Sequence, residues 1–276
     1  MRSVLVTGAS TGIGRATALR LDGSGWRVFA GVRKEADAES LRQEASPSLI
    51  PVILDVTDAG RIAALSESLP ERLDAVVNNA GIVVSGPMET VTPDGWRKQL
   101  EINVIGQLAV TQAVLPRLRR SRGRVVFISS VNGQLSMPLV GAYSASKFAL
   151  EAAADALRME LRPWHIGVAI VEPSQTDTDM WRTADDMVEQ TEAALTAEHR
   201  ELYARHIAGF KKMIPVSQKL AVPAEKVAAV VEEALTARRP RPRYVVGVGT
   251  KLQIALMTNL PASLRDRLLR RVSGQP

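Results

Sequence analysis

The sequence contains no cysteine and only three histidines, His165, His199 and His206. Without cysteine there is neither a disulfide nor a thiolate metal ligand, so disulfide-stabilised scaffolds and zinc–thiolate sites are excluded. The histidines are scattered, and only the last two share a region of the chain. We therefore expect no metal site.

Long hydrophobic runs are also missing. No uninterrupted apolar stretch approaches about 18 residues, the length that a membrane-spanning helix needs. The N-terminal residues Met1–Gly8 show neither the apolar core nor the small-residue cleavage pattern of a signal peptide. We expect a cytoplasmic protein. Its 276 residues, 46% hydrophobic and 23% charged, suit a single α/β domain.

Positive charge is distributed unevenly. The net charge is +6, but residues 238–276 carry +8 and residues 1–237 total −2. The charged residues of this tail are Arg238, Arg239, Arg241, Arg243, Lys251, Arg265, Arg267, Arg270 and Arg271, with Asp266. We expect a solvated basic surface. Weak contact with acidic lipid headgroups is the alternative, because the apolar stretch Leu252–Met257 lies among these charges. No nucleic acid partner is expected, since no reader motif or interleaved aromatic residues accompany the charges.

Apolar, β-rich runs alternate with helical patterns along the chain. The predicted strands are Ser3–Val6, Arg27–Val32, Leu49–Leu54, Leu73–Val77, Arg124–Ile128, Ile166–Val171 and Tyr244–Val246. The helical patterns include Ile13–Leu21, Arg61–Leu69, Gly95–Arg119, Ala145–Leu161 and Ala224–Ala237. Continuous Val/Ile/Leu runs are typical of parallel strands covered on both faces. The pattern predicts one α/β domain over residues 1–276, with a Rossmann-type, doubly wound parallel sheet of about seven strands and helices on both faces.

Residues 177–221 depart from this alternation. They contain no predicted strand, and they combine charged residues with Met180, Trp181, Met187, Tyr203, Phe210 and Met213. One or two amphipathic helices over the carboxyl edge of the sheet, where ligands bind in such folds, would explain the pattern. Inserted elements at this edge are commonly lids, so we expect the segment to cover a substrate. Core packing is the alternative.

A glycine-rich turn follows the first predicted strand and reads Thr7-Gly8-Ala9-Ser10-Thr11-Gly12-Ile13-Gly14. Glycines allow a tight turn, and they let backbone N–H groups approach a pyrophosphate at the N-terminus of the following helix. At the start of an α/β chain, this loop predicts a dinucleotide site.

The end of the second predicted strand, residues 30–34, indicates which dinucleotide binds. In NAD sites an acidic residue here usually binds the ribose hydroxyls, but residues 30–34 contain no Asp or Glu, and the first acidic residue after them is Glu35. Arg33 is placed to pair with a 2′-phosphate. We therefore expect NADP(H) in preference to NAD(H); an ordinary surface arginine is the alternative for Arg33.

The pattern that carries most chemistry is Tyr143-Ser-Ala-Ser-Lys147, with Ser130 thirteen positions before the tyrosine. Residues four apart lie on one face of a helix, about one turn from each other. An ammonium at that distance favours the phenolate and lowers the phenol pKa from its usual value of about 10. We therefore expect Tyr143 to act as an acid or base near neutral pH.

Over residues 1–178 the chain resembles the short-chain dehydrogenase/reductase family, whose motifs occur here in family order. They are the glycine loop, Asp55-Val56, Asn78-Asn79-Ala80-Gly81, Asn103, Ser130 with Tyr143 and Lys147, and Pro173 with Thr176. Residues 146–151, residues 171–173 and Arg33 are similar to the branch that includes 17β-hydroxysteroid, retinol and 3-hydroxybutyrate dehydrogenases. One departure is Ser174, where the family usually has glycine; a serine there is strained if φ is strongly positive.

The resemblance implies specific roles for these residues. The implied cofactor-binding residues are Gly8, Ser10, Thr11, Gly12, Ile13, Gly14, Arg33, Asp55, Val56, Asn79, Ala80, Gly81, Tyr143, Lys147, Pro173 and Thr176. The implied catalytic residues are Asn103, Ser130, Tyr143 and Lys147. In these roles Tyr143 exchanges the proton, Lys147 lowers the phenol pKa and binds the nicotinamide ribose, Ser130 positions the substrate oxygen, and Asn103 holds a water. The structural alternatives are a strand cap for Ser130 and a backbone-bonded amide for Asn103.

We therefore expect an NADP(H)-dependent oxidoreductase that interconverts an alcohol and a carbonyl. The apolar residues within 177–221 favour an apolar substrate, such as a steroid, a retinoid or an aliphatic ketone. The family usually forms homodimers or homotetramers, and the resemblance implies the same here. The alternative function is a regulatory or scaffold protein that senses NADP(H) without turnover, and the intact catalytic set argues against it.

Overall fold

Strands and helices alternate along residues 1–275, the part of the chain that this computed structural model describes, the side chains of Met180, Trp181, Val248 and Val272 excepted. The strands are β1 (Ser3–Val6), β2 (Arg27–Val32), β3 (Leu49–Ile53), β4 (Ala75–Asn78), β5 (Arg124–Ile128), β6 (Gly167–Glu172), β7 (Thr176–Asp177), β8 (Val222–Pro223) and β9 (Arg243–Val245). The α-helices are α1 (Gly12–Gly23), α2 (Glu35–Glu44), α3 (Ala59–Ser68), α4 (Pro93–Leu100), α5 (Gly106–Ser121), α6 (Gly141–Glu160), α7 (Asp179–Arg182), α8 (Ala184–Ala194), α9 (Ala197–Lys219), α10 (Ala224–Thr236), α11 (Val248–Thr258) and α12 (Ala262–Val272). Short 3₁₀ turns occur at Met88–Thr90, Val131–Gly133 and Arg162–Trp164, and a π-helical turn at Glu101–Ile105.

One parallel sheet contains seven of these strands, in the order β3-β2-β1-β4-β5-β6-β9. The chain moves outward in one direction from β1 to β3 and then returns to the other side of β1 with β4. This reversal creates a crevice at the carboxyl ends of the strands, where ligands bind in doubly wound sheets. The predicted Rossmann-type architecture is confirmed.

Successive side chains of a strand point to opposite faces of the sheet, so an apolar strand needs a cover on both faces. In β1, Val4 and Val6 belong to the apolar cluster that also contains side chains of α1, α2 and α10. Leu5 belongs to the cluster on the other face, with side chains of α3, α5 and α6. Burial of both apolar faces is the main force that holds such a layered fold together.

The prediction of one continuous helix from Gly95 to Arg119 is wrong, because the structure interrupts it. Helix α4 ends at Leu100, the π-helical turn follows, and α5 starts at Gly106. A π turn changes the rotational register of the helix, and such turns are frequent at functional sites. Here it contains Asn103, whose side chain is fully buried. The sequence prediction also omitted α2.

The segment from 177 to 221 is more structured than predicted. It contains three helices, α7 to α9, where one or two were expected. Its first residue belongs to the two-residue strand β7, which pairs in parallel with β8, so the prediction of no strand is also wrong. The Val222 N–H donates to the Gln175 carbonyl at 2.9 Å. This pairing brings the two ends of the segment together beside the sheet.

The basic C-terminal segment is partly built into the fold. Arg243 and Tyr244 lie in β9, which pairs with β6, so the prediction of a solvated surface is wrong for Arg243. Farther along, Ile254 and Met257 of α11 pack against Leu135. In the described part of the chain, no helix is long and apolar enough to cross a membrane.

Candidate active site

The glycine loop turns so tightly that two of its residues have positive φ. Gly8 has φ +64° and Gly12 has φ +54°. A Cβ atom at Gly8 would lie 2.9 Å from the Ala80 Cα, and one at Gly14 would lie 2.1 Å from the Gly8 carbonyl oxygen. Only glycine fits these positions. Thr11, the N-cap residue of α1, makes no side-chain capping bond, so N–H groups of the first turn remain available to an anion.

The carboxyl end of β4 is hydrogen-bonded to the start of the glycine loop. Thr7 Oγ1 accepts from the backbone N–H groups of Asn79 and Ala80, at 2.9 and 3.0 Å. Asn79 Nδ2 donates to the carbonyls of Thr7 and Gly8, both at 3.0 Å. Gln107 Nε2 donates to the Ala80 carbonyl at 2.7 Å. These bonds fix the two loops at the switch point relative to each other.

Arg33 and Asp55 follow β2 and β3 at the same edge of the sheet. Arg33 is exposed, and Asp55 accepts from the Thr57 N–H at 2.9 Å and from Thr57 Oγ1 at 2.7 Å. The backbone hydrogen bond from Thr57 is the main cause of the lowered pKa of Asp55, and the positive charge of Arg33 contributes to it. The two side chains are therefore close enough to act on one ligand.

Ser130, Tyr143 and Lys147 meet where β5 and α6 approach each other. Ser130 begins the turn after β5, and its Oγ accepts from the Asn132 N–H at 3.1 Å. Lys147 Nζ lies 5.7 Å from the centre of the Tyr143 ring, so the predicted placement on one helix face is confirmed. Lys147 is buried, and its ammonium donates to the Ile128 carbonyl at 2.8 Å.

The pKa of Tyr143 differs from the sequence-based expectation. Burial raises the pKa of the phenol, and the interaction with the Ser130 hydroxyl lowers it less strongly. The predicted lowering is therefore wrong for this structure. Burial also lowers the pKa of Lys147 to about 8, and the negative charge of Glu151 opposes this shift. The lysine charge is itself disfavoured by burial, so it does not overcome the desolvation of the phenolate.

Asn103 is buried behind the site and bonds to the backbone. Its Oδ1 accepts from the Ile82 N–H at 2.9 Å, and its Nδ2 donates to the Ile82 carbonyl at 3.0 Å and to Ser146 Oγ at 3.1 Å. Gln99, which the sequence prediction omitted, donates to the same Ile82 carbonyl and accepts from the Val84 N–H. The two amides hold the loop after β4 against α6.

All these elements surround one cavity of about 690 Å³. Every predicted site residue lines it except Gly14 and Asn103. Gly14 instead allows α1 to pack closely on the loop, and Asn103 supports the wall from behind. Within residues 1–275, no group of three or more His, Asp or Glu side chains is arranged to hold a metal ion.

Apolar side chains form another wall of the cavity. Met137, Val140, Phe210 and Met213 line the cavity. They belong to an apolar cluster that includes residues of α8 and α9, and Tyr143 packs against it. Met137 and Val140 carried no signal in the sequence. Met187 and Tyr203 pack in the cluster without lining the cavity, and the predicted side chains of Met180 and Trp181 lie outside the described residues.

The loop after β6 accommodates serine without left-handed strain. Ser174 is not among the residues with positive φ, so it adopts the conformation that an L residue prefers. Thr176 Oγ1 donates to the Ser174 carbonyl at 3.1 Å, and the Val131 N–H donates to the Pro173 carbonyl at 3.1 Å. In contrast, Leu139, in the apolar cluster next to the cavity, has φ +66°, a conformation that costs a bulky residue energy and is found mostly near functional sites.

The site fits a dinucleotide on its own geometry. Glycines leave no Cβ between a ligand and the backbone at the start of α1, an arginine stands at the end of β2, and a buried lysine and a tyrosine stand at the end of β5. This arrangement can hold pyrophosphate at one end and support proton exchange at the other.

Comparison with known sequences places the chain in a family. Residues 2–189 match the family model described as short chain dehydrogenase. Mouse (Mus musculus) "Retinol dehydrogenase 5" is 35% identical, with 99% of this chain and 89% of the relative covered. "17-beta-hydroxysteroid dehydrogenase type 6" of Bos taurus gives the same identity and coverage. "NADPH-dependent 3-dehydrocapnine reductase" of Ornithobacterium rhinotracheale is 32% identical, with 97% and 96% covered.

Solved structures agree with this assignment. A short-chain dehydrogenase from Streptomyces avermitilis has a TM-score of 0.79 and 30% identity, and 97% of this chain and 94% of that chain are covered. The fold is also shared with a Burkholderia cenocepacia short chain dehydrogenase in complex with NADP, with a TM-score of 0.76, 23% identity, and 98% and 99% covered. It is shared equally with a Burkholderia phymatum enzyme in complex with NAD, with a TM-score of 0.76, 22% identity, and 93% and 92% covered. The chain belongs to the short-chain dehydrogenase family of oxidoreductases, in a branch that resembles the retinol and 17β-hydroxysteroid dehydrogenases.

Proposed function

We propose that this protein is an NADP(H)-dependent oxidoreductase that interconverts an alcohol and a carbonyl in an apolar substrate. The observation that carries the proposal is the convergence of Ser130, Tyr143 and Lys147 on the cavity that also contains the glycine loop. A cofactor and a substrate would share this cavity, and Tyr143 lies between the loop and the apolar wall. The complete polar set favours turnover over cofactor sensing.

When bound, the nicotinamide cofactor would donate or accept hydride. Carbonyl reduction places negative charge on the substrate oxygen, which then needs a proton. Tyr143 Oη would donate this proton, and in alcohol oxidation it would accept one; Ser130 Oγ would donate a hydrogen bond to the same oxygen. Lys147 Nζ would bind the nicotinamide ribose and stabilise the phenolate once the proton has left. Asn103 would hold a water that connects Lys147 with solvent.

The preference for NADP(H) is supported by charge at the end of β2. Arg33 lines the cavity near Asp55, and no carboxylate occurs in β2 or between its end and Glu35. A guanidinium can bind a phosphate through two parallel hydrogen bonds, whereas the ribose hydroxyls of NAD usually bind a carboxylate. One relative in the comparison is named as NADPH-dependent.

An apolar substrate is supported by the apolar wall of the cavity. Met137, Val140, Phe210 and Met213 offer aliphatic, thioether and aromatic surface to the cavity. Burial of apolar ligand surface against such side chains stabilises a complex by roughly 25 cal/mol per Å². Two relatives are named for retinol and for a 17β-hydroxysteroid. We expect α7 to α9 to act as the substrate lid.

A homodimer or homotetramer is supported by exposed apolar residues on the flank of the sheet. Ile105 at the end of the π turn and Phe148 on α6 are about half exposed, at 52% and 44%. The π turn and α6 pack against each other, so both residues lie in one region. Such a patch is favourable to bury against a second copy. Phe148→Glu should reduce the molecular mass measured by light scattering.

Two further proposals concern the cellular location of the protein and the lipid contacts of its basic C-terminal segment. We propose a cytoplasmic protein, a location that cell fractionation would test. The exposed Leu252 and Leu256, one turn apart on α11 beside Lys251, support weak contact with anionic lipid. Cosedimentation of wild type and Lys251→Glu with anionic and neutral vesicles would detect it. A point substitution is needed because deletion of residues 238–276 would remove β9 from the sheet.

The proposed function is tested by a screen of carbonyls and alcohols, with NADPH or NADP⁺ absorbance as the readout. Matched ketones with short and long apolar substituents test the substrate class. We expect turnover that increases with apolar length. Binding of NADPH without turnover of any carbonyl or alcohol would favour the cofactor-sensing alternative.

A further inference from the structure

Two buried carboxyl groups meet one partly buried guanidinium behind the cavity. Glu172, the last residue of β6, is fully buried, and Glu151 of α6 is nearly so. Arg243 of β9 places Nε 3.0 Å from Glu151 Oε2 and 3.3 Å from Glu172 Oε1. Its Nη2 lies 2.6 Å from Asp155 Oδ2, and Asp155 also pairs with Arg158. Residues far apart in sequence thus form one cluster, called here the Glu172 cluster (Glu151, Asp155, Glu172 and Arg243).

Glu172 connects the two loops that carry the predicted catalytic serine and the nicotinamide-binding residues. Gln134 Nε2 donates to Glu172 Oε2, and Gln134 belongs to the turn that starts at Ser130. Glu172 directly precedes Pro173, whose carbonyl accepts from the Val131 N–H. The side chain of Glu172 and this backbone bond therefore hold the same two loops together.

The cluster is also adjacent to Lys147. Glu151 lies one helical turn after Lys147 on α6, and its charge acts to raise the lysine pKa. The turn after β5 packs directly on this glutamate, because a Cβ at Gly133 would lie 2.9 Å from the Glu151 Cγ. A change in the charge of the cluster will therefore reach Lys147 through Glu151.

The cluster holds more negative than positive charge if all its groups ionise. Glu151, Asp155 and Glu172 face Arg243, while Arg158 is shared with Asp155 alone. Within the described residues, Oε1 of Glu151 and Oε1 of Glu172 accept no hydrogen bond. Burial, and then the charge of Glu151, raise the pKa of Glu172 to about 7, and Arg243 opposes the shift. Two such carboxyl groups titrate as a pair.

We propose that Glu172 is a positioning residue: held by Arg243 and Gln134, it fixes the Ser130 loop against the Pro173 loop and transmits its charge through Glu151 to Lys147. The inference rests on the proposed function, because it assigns Glu172 to the same site. Glu172 does not line the cavity, so it acts through the residues that do.

Cofactor binding tests the connection between the loops. We would compare Glu172→Ala, Gln134→Ala and Glu172→Gln, with Glu233→Gln as the control, because Glu233 pairs with Arg241 at the surface. NADPH is the probe, and quenching of tryptophan fluorescence is the readout. Loss of a hydrogen bond to a charged group should raise the Kd about tenfold in the two alanine variants. Glu172→Gln can still accept a hydrogen bond from Gln134, so its Kd should stay within about twofold of wild type.

Thermal melts between pH 5.5 and 8.5 test the charge of the cluster without any cofactor. A group whose folded pKa is raised gives its full stabilisation below its unfolded pKa and loses it as pH rises through the folded pKa. For Glu172 this loss starts near the ordinary pKa of 4.5 and is complete above about pH 7. The Tm of Glu172→Gln relative to wild type should therefore rise from pH 5.5 to about pH 7 and then level off, whereas that of Glu233→Gln should not change with pH.

The outcomes separate the two proposals. Wild-type protein that binds neither NADPH nor NADH would overturn the proposed function. Wild-type protein that binds NADPH, with alanine variants that bind it equally well and Tm curves that run parallel, would overturn the role of Glu172 alone. If Glu172→Ala does not fold, Gln134→Ala removes the same connection from the other loop.

Discussion

The cavity has two walls of different construction. The cofactor wall, Gly8 and residues 10–13 with residues 79–81, is built on tightly packed backbone. Behind it the fit is so close that a Cβ at Gly14 would lie 2.1 Å from the Gly8 oxygen. The apolar wall consists of the side chains of Met137, Val140, Phe210 and Met213. A backbone surface holds one ligand shape, because no substitution can change it without breaking the turn. A side-chain surface can change its ligand by a change of residue, so substrate choice belongs to the second wall.

The two walls are also attached differently. Hydrogen bonds between the loops after β1 and β4 fix the cofactor wall to the sheet. The apolar wall is held mainly by its own apolar cluster, with the hydrogen bond between Ser85 and Thr191 at 2.7 Å as one polar link to the rest of the domain. We expect helices α8 and α9 to open before the sheet does, since few non-local polar contacts oppose their movement.

The largest expected effect is at Tyr143, where the walls meet. Tyr143→Phe removes the exchangeable proton and leaves the aromatic ring in place. Turnover should fall by about 10³-fold, because proton transfer by a positioned side chain contributes about 10²–10⁴-fold. NADPH binding should be nearly unchanged in fluorescence titrations. Tyr203→Phe, in the apolar cluster away from the cavity, is the control. Full turnover by Tyr143→Phe would exclude Tyr143 as the acid.

The next effect separates the cofactor wall from the rest of the site. Arg33→Ala should raise KM for NADPH about 10- to 100-fold, the loss expected for charge-assisted hydrogen bonds to a phosphate, and should change KM for NADH little. Steady-state kinetics with both cofactors give the two values. Arg42→Ala on α2, whose arginine pairs with Glu35 and Glu39, is the control. Equal changes for the two cofactors would contradict 2′-phosphate recognition.

A pH profile tests the polar groups between the walls. In carbonyl reduction Tyr143 must carry its proton and Lys147 its charge. The pKa of Tyr143 is raised, so the phenol stays protonated, but Lys147 loses its charge as pH rises through about 8. Above that value kcat/KM for reduction should fall about tenfold per pH unit. A profile that is flat to pH 10 would show that Lys147 does not titrate in the free enzyme.

The smallest effect should come from the apolar wall. Phe210→Ala should raise KM for a long apolar ketone about tenfold and for a short one about twofold, because only the long ketone loses contact with the ring. Leu202→Ala, exposed on the same helix, is the control. Equal changes for both ketones would contradict a role for α9 in substrate choice.

The sheet was predictable because its signal is local. Buried parallel strands require continuous apolar runs, and β1, β2 and β5 have the predicted bounds. The interruption of the predicted helix Gly95–Arg119 was not predictable, because the hydrogen-bond partners of Asn103 in the π turn come from the backbone of Ile82 after β4 and from Ser146 of α6. The short helix α2 was omitted, since its mostly exposed surface gives little apolar periodicity.

The site divides in the same way into features that local sequence predicts and features that only tertiary contacts determine. Glycines with positive φ and the Tyr143–Lys147 spacing are local geometry, and the structure places them as the sequence indicated. The raised pKa of Tyr143 was missed, because spacing gives the distance to a charge and not the degree of burial. Met137 and Val140 lie close to Tyr143 in sequence but carry no motif, so only the structure shows that they line the cavity. The Glu172 cluster was missed because Arg243 is brought to Glu151 and Glu172 from a distant part of the chain.

The sequence by itself determined the order of strands and helices, the glycine turn and the pairing of Tyr143 with Lys147, because each depends on residues within a few positions of one another. Tertiary structure alone decided that Tyr143 packs against the apolar cluster that contains Phe210, that Asn103 bonds to Ile82, and that Arg243 pairs with two buried glutamates instead of being solvated with the rest of the tail. These outcomes depend on how the sheet and its helices pack. Packing sets burial, and burial sets the energy of a charge.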